Sequence, residues 1–200
     1  MESKRYDFAA LLDIVAKLSG PDGCPWDRAQ THESIRINAI EEAYEAVDAI
    51  DRRDRAAMIE ELGDLLLQAV FHADIAKRSG DFDIDDILQV LCVKLISRHS
   101  HVFGNEKAAN AEQSLNLWEK NKENEKGRKE LRQKLEDIPK NFPALLRAVK
   151  IFKKMNPEPQ DYTEEELEAD LIRITKRAAA AGLEPELTLN KAINRMIETT

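Results

Sequence analysis

Glu41, Glu42 and Glu45 lie in one short segment, and Glu61 and Asp64 follow twenty residues on, inside Ile59-Glu-Glu-Leu-Gly-Asp-Leu-Leu-Leu67. Residues three or four apart share a helix face, so each segment projects carboxylates together. Such groups repel one another unless a cation neutralises them, and a divalent ion is a common partner for clustered carboxylates. The competing reading is a solvated acidic face, the ordinary fate of Glu in a chain that is 34% charged.

Placement at about 100° per residue sharpens the first reading. On the first helix Ile37, Ile40, Tyr44 and Val47 form an apolar stripe, and Asp48, Glu41, Glu45 and Glu42 fill the adjoining arc. On the second, Leu62, Leu65, Leu66, Ala69 and Ala73 form one apolar face and Leu67, Phe71 and Ile75 another. Asp64 points the same way as Phe71 and Ile75, so partial burial is expected, at a cost that a bound cation offsets. A third helix, Ile84 to Arg98, carries Ile87, Val90, Leu91, Leu95 and Ile96, with Lys94 and Arg98 in the sector of Ile87 and Leu91. Two cations on a core-facing stripe call for an anion. They can neutralise the carboxylates, lay their stems on the core with their heads in water, or clamp phosphate oxygens beside a metal. His99 and His101 follow, and neither is read as a metal ligand.

The elements that must carry these residues are helices. Gly and Pro are scarce, no strand alternation occurs, and the periodicity predicts helices over about 6–18, 32–51, 55–79, 84–98, 111–133, 143–154, 163–181 and 188–198. Gly20-Pro-Asp-Gly-Cys-Pro25 reads as a loop, Ser79-Gly80-Asp81 as a stop, and Asn156-Pro-Glu-Pro159 as a break. Short connections within 32–98 favour an all-α antiparallel bundle with its site on facing helices. Three regions are expected: a helical domain over 1–125 that carries these charged residues, a charged helical connector over 126–142, and a helical tail over 143–200.

A net charge of −8 and a pI near 5.2 argue against nucleic acid as the main ligand. No stretch approaches the roughly 20 apolar residues that a membrane span needs, and the start Met-Glu-Ser-Lys-Arg lacks a signal-peptide core, so a soluble, cytoplasmic protein is expected. Cys24 and Cys92 make neither a disulfide framework nor a zinc site; Cys92, in an apolar run, is expected in the core. No P-loop Gly-x-x-x-x-Gly-Lys-Ser/Thr occurs, which disfavours a motor- or kinase-type NTPase.

Four motifs stand in register: Cys24-Pro-Trp-Asp-x-x-Gln-Thr31, Glu41-Glu42-x-x-Glu45, Glu61-x-Gly63-Asp64-Leu-Leu, and Lys94-x-x-x-Arg98-His99-x-His101-Val-Phe103. In order and spacing they resemble the MazG family of nucleoside triphosphate pyrophosphohydrolases, over about residues 6–122 and including Trp118-Glu119. Ser100 stands where the family usually has Pro, and Ser97 where it often has Arg. The resemblance implies an all-α bundle assembled as a homodimer and hydrolysis of a nucleoside triphosphate to monophosphate and pyrophosphate. It implies Mg²⁺ as cofactor, with Mn²⁺ as a substitute, held by Glu42, Glu45, Glu61 and Asp64. Lys94 and Arg98 would clamp phosphate, Glu41 would sit behind the ligands or orient water, and Trp26 would either cover a nucleobase or fix its loop to the bundle. Two alternatives stay open: an all-α pyrophosphatase narrow for one pyrimidine or phosphoribosyl nucleotide, and a noncatalytic acidic helical interaction module.

The tail resembles a worn second copy of the same unit. Ile138-Pro139 through Lys154 is similar to the connector of longer relatives, and Glu164 to Leu171, Gly182-Leu-Glu-Pro185 and Lys191 to Met196 are similar to the latter part of the copy. A Glu-Glu-x-x-Glu helix has no room between Met155 and Tyr162, and Glu166 and Asp170 are four apart rather than three. The tail is expected to hold no metal and to serve packing or dimerisation. A plainer reading makes Glu164 to Asp170 an acidic first turn favoured by the helix dipole.

Overall fold

Capping side chains set the element boundaries in the computed structural model, which describes residues 5–125, 127 and 130–200. Met1 to Lys4, and Lys126, Arg128 and Lys129 of the expected connector, lie outside the described residues. Among the described residues all regular structure is helical: α1 (Phe8–Ser19), α2 (Pro25–Ala29), α3 (His32–Ile35), α4 (Asn38–Asp51), α5 (Arg55–Ser79), α6 (Ile84–Arg98), α7 (Ser100–Phe103), α8 (Ala111–Glu125), α9 (Leu131–Glu136), α10 (Ala144–Lys154), α11 (Glu164–Ala180) and α12 (Pro185–Glu198). Asp7 accepts from Ala10 N at 2.9 Å to open α1, and Asp54 accepts from Ala56 N and Ala57 N to open α5. Asp83 and Asp86 form a capping box on α6, and Gly80, left-handed at φ 74°, ends α5. No described helix is long and apolar enough to cross a membrane.

The chain divides into two units, Met1–Leu117 and Trp118–Thr200. In the first, α4 and α5 pack along one another. Ala46 and Ala49, both buried, let the helix axes approach closely, and the turn between them passes through Arg53 at φ 54°. Val15, Ile35, Val70, Phe71 and Ile75 form the core, with Leu11, Leu12 and Leu67 against it. Ile35, 1% exposed, seats the short α3 on that core; burying such a side chain stabilises by about 1.5–3 kcal/mol. The loop before α2 needs Gly23, because a Cβ there would meet Leu18 O at 2.2 Å. In the second unit α9, α10 and α12 enclose Leu135, Ile138, Ala148, Ile151, Ile193 and Ile197. Leu135 and Ile138, within the expected connector, are therefore core residues. Arg147 is buried among them and donates to Asn190 Oδ1 at 3.2 Å.

Several expectations change. The helix expected over 32–51 is two, α3 and α4, although Arg36 and Ile37 between them keep right-handed helical angles. Pro25 opens an unexpected turn, α2, where a first-turn proline loses no hydrogen bond. Cys92 is exposed, not core. The stripes on α4 and α6 are likewise open: Ile40, Tyr44, Val47, Val90 and Ile96 are all at least half exposed in the single chain. Apolar periodicity marks a face that needs cover, and it does not say whether the cover belongs to the same chain.

An unexpected contact ties α3 to α5. His32 Nδ1 and His72 Nδ1 lie 2.8 Å apart, the ring planes diverge by 8° and the centroids are 5.0 Å apart. That centroid distance is close to the nitrogen separation plus two ring radii, so the imidazoles meet head to head in one plane. One Nδ1 must donate and the other accept, and the pair has no place for a second proton there. Burial and His32 hold His72 below the usual imidazole range. The unfolded chain therefore takes up this proton first as pH falls. The stabilisation is complete above pH about 6.5 and is lost as pH falls through the lowered value of His72. Urea midpoints between about pH 7.5 and 5.5 should fall for the native chain and fall less for His72→Phe. An equal fall in both would remove the pair as the source.

Candidate metal centre

The facing positions of α4 and α5 bring the acidic motifs together. Glu42 and Glu45 sit one turn apart on α4, and Glu61 and Asp64 one turn apart on α5. One carboxylate oxygen from each of Glu42, Glu45 and Glu61 lies within 4.8 Å of the other two. Glu42, Glu61 and Asp64 are half-buried, while Glu41 and Glu45 are exposed.

The electrostatics register the crowding. Desolvation first, then Asp64, Glu45, Glu61 and Glu41, push Glu42 above the usual carboxylate range. Glu61 rises through desolvation and then Glu45, Glu60 and Asp64, with Arg52 opposing. Asp64 thus acts on both, although it stands outside the group of three closest oxygens. Asp48, in the same arc of α4, is drawn aside by Arg52 at 2.8 Å. The donors are all carboxylate oxygens, a set that suits a hard divalent ion such as Mg²⁺ or Mn²⁺.

The cations expected beside the acids sit on α6. Ile84, Ile87, Lys94 and Arg98 are the half-covered residues of that helix, so the stripe read from the sequence is its more protected side. Trp26 is 58% exposed, with its ring tilted on buried Phe71 at 6.5 Å and its carbonyl accepting from Gln30 Nε2. The ring contact joins α2 to α5. His99 Nδ1 lies 2.7 Å from Leu95 O, at the end of its own helix.

Sequence reasoning overlooked Gln68. One turn beyond Asp64, it is buried, and its Oε1 has no hydrogen-bond partner. A lone amide on the line from Asp64 to Phe71 was the available signal. In the second unit, Thr163 and Glu166 form a capping box that opens α11, consistent with an acidic first turn. Among the described residues, 164–170 contribute no group of three converging ligands.

Fold and site define an all-α protein whose carboxylate centre is built from a packed helix pair. Residues 30–103 match the family model described as MazG nucleotide pyrophosphohydrolase domain, a span that contains the acids, Lys94 and Arg98. The chain is 38% identical to the nucleoside triphosphate pyrophosphohydrolase/pyrophosphatase MazG of Thermotoga maritima, over 96% of this chain and 83% of that protein. It is 44% identical to the nucleoside triphosphate pyrophosphohydrolase of Escherichia coli K12, over 76% of this chain and 59% of that one. It is also 44% identical to YabN of Bacillus subtilis, over 74% of this chain and 30% of that one. The chain belongs to the MazG family. The match spans less than two thirds of the Escherichia relative and under a third of the Bacillus one.

The raised Glu42 and Glu61 carry a thermodynamic sign. A carboxyl raised in the fold contributes stability below its unfolded value and loses it as pH rises through the folded one, so at neutral pH the metal-free cluster destabilises. Glu42→Gln should raise the melting temperature in chelator and diminish the upward shift that Mg²⁺ gives the native chain. Equal Mg²⁺ shifts in both proteins would remove Glu42 from the centre.

Proposed function

We propose that this chain hydrolyses nucleoside triphosphates to monophosphate and pyrophosphate in a Mg²⁺-dependent reaction. The observation that carries the reading is the convergence of Glu42, Glu45 and Glu61, with Asp64 beside them, inside the segment that matches the family. The names of the Thermotoga and Escherichia relatives support the same activity.

Glu42, Glu45, Glu61 and Asp64 would hold the ion, which when bound neutralises phosphate oxygens and lowers the pKa of coordinated water. Lys94 and Arg98, one turn apart, supply positive charge to the triphosphate and stabilise the negative charge that grows on the departing pyrophosphate. Glu41, exposed beside Glu42, orients the attacking water and takes its proton. Water adds to the phosphorus that becomes the monophosphate as the anhydride bond to pyrophosphate breaks, so one water is consumed for each pair of products.

Assembly as a dimer belongs to the same reading. Tyr44, Val47, Ile59, Leu62, Val90 and Val93 are exposed on α4, α5 and α6, more apolar surface than a monomeric unit ordinarily leaves in water. A second copy packed there would bury it and shield the centre.

Pyrophosphate release with Mg²⁺ tests the assignments. Glu42→Gln and Asp64→Asn should each lower kcat by about 10²-fold or more with helicity intact. Lys94→Ala should lower kcat/KM for the triphosphate while leaving Mg²⁺ affinity unchanged, and Arg98→Lys, which keeps charge but loses the planar fork, should not restore full turnover. Near-normal turnover in the acid variants would remove those residues from the centre. Mg²⁺ binding without pyrophosphate release by the native chain would favour a noncatalytic interaction module.

A further inference from the structure

One buried polar side chain close to the carboxylates has no part in the reaction proposed above. Gln68 is 7% exposed, and its Oε1 is buried with no hydrogen-bond partner among the described residues. Its neighbours along α5 are apolar: Val70 and Phe71 belong to the core and Leu67 packs on it. Met or Leu would fill the same space without leaving an acceptor unpaired, so the amide costs stability where it stands. Such local conflicts concentrate at functional sites.

Position on the helix narrows what the amide can do. Gln68 lies four residues beyond Asp64 on α5, about 6 Å along the axis and about 40° around it. Helical side chains lean toward the N-terminus, so the long side chain of Gln68 leans over the turn that carries Asp64. Phe71 follows in the same sector, and the exposed ring of Trp26 lies 6.5 Å from it. The sector therefore runs from acid to amide to aromatic pair. Gln has three rotatable side-chain bonds, and a buried acceptor without a partner gains free energy by turning to a donor that arrives beside it.

Chemistry selects the donor. The phosphate oxygens of a nucleoside triphosphate are acceptors and offer Oε1 nothing. Donors begin at the pentose, whose hydroxyls lie a few bonds from the first phosphorus, a reach of about 6 Å at bond lengths near 1.5 Å. That reach matches the rise from Asp64 to Gln68. The amino groups of a base lie further out, and water on a bound ion is the competing donor nearer in.

We propose that Gln68 reads the sugar, its Oε1 accepting from a pentose hydroxyl when the triphosphate lies on the carboxylate centre. The inference rests on the nucleotide reading of that centre and names the group that senses the sugar.

Mg²⁺-dependent binding to the full chain tests it, with triphosphates whose first two phosphates are joined by a methylene bridge so that they are not cleaved. One base is used with ribose, 2′-deoxyribose, 3′-deoxyribose and 2′,3′-dideoxyribose. The native chain should bind the dideoxy form about tenfold or more weakly than the ribose form, because the missing hydroxyl leaves the acceptor unpaired. The two singly deoxygenated forms tell which hydroxyl is read. Gln68→Met, with Gln68→Leu as a second variant, should bind all four sugars within about twofold of one another. Without ligand, in chelator, these variants should melt at or above the native temperature, since the unpaired acceptor is gone.

Equal affinity of the native chain for the ribose and dideoxy forms, or native discrimination retained in the variants, would overturn the assignment and leave the nucleotide reading standing. Weakened Mg²⁺ binding in the variants with the sugar preference kept would give the amide to water on the ion. A lower melting temperature in both variants would mean that the amide is paired within the fold, and either of these results also overturns the assignment. Failure of the native chain to bind any of the four with Mg²⁺ would overturn the nucleotide reading and this inference with it.

Discussion

Mutual repulsion among acids is the constraint on which the first unit turns. Glu42, Glu45 and Glu61 present oxygens within 4.8 Å of one another, and no pair of helices would keep such groups together without strong packing elsewhere. The packing is supplied by Ala46 and Ala49 on α4, which allow close approach, and by Val70, Phe71 and Ile75 further along α5, which tie that helix to α1 and α3. The acids occupy the end of α5 near the α4–α5 turn, and the core contacts occupy its far half. Stability and chemistry therefore use different parts of one helix. This division lets the near half carry like charges whose raised proton affinity reports their discomfort.

The second unit is built without a converging acidic group among its described residues. Its core is made by α9, α10 and α12, while no described residue of α11 is buried and Leu167 and Ile174 stay about half exposed. The same imbalance recurs on α4 and α6 of the first unit, where Tyr44 and Val90 are 63% and 66% exposed. Hydrophobic area on this scale costs about 25 cal/mol per Å² while it stays in water, which favours association between chains.

Much of this was legible in the residues. The three-residue spacing of Glu42 from Glu45 and of Glu61 from Asp64 set which faces they occupy, and helical periodicity placed α5 and α6 at their observed bounds. Asp64 points the same way around α5 as Phe71 and Ile75, which implies partial burial, and it is half-buried. The misses have physical causes. Periodicity cannot distinguish cover within a chain from cover between chains, hence the exposure of Cys92 and of the α4 stripe. Local pattern is also blind to pairs formed across the fold, and the head-to-head contact of His32 with His72 joins residues forty positions apart. A short helical turn such as α2 hides behind Gly and Pro that read as loop.

The central claim is that the carboxylates of α4 and α5 organise a divalent ion for cleavage between the first two phosphates of a nucleoside triphosphate. Phosphorus NMR of the products reads it most directly. The account predicts monophosphate and pyrophosphate in equal amounts, formed with Mg²⁺, abolished by chelation and recovered when Mg²⁺ is restored. Diphosphate with orthophosphate, or undiminished turnover in chelator, would contradict it.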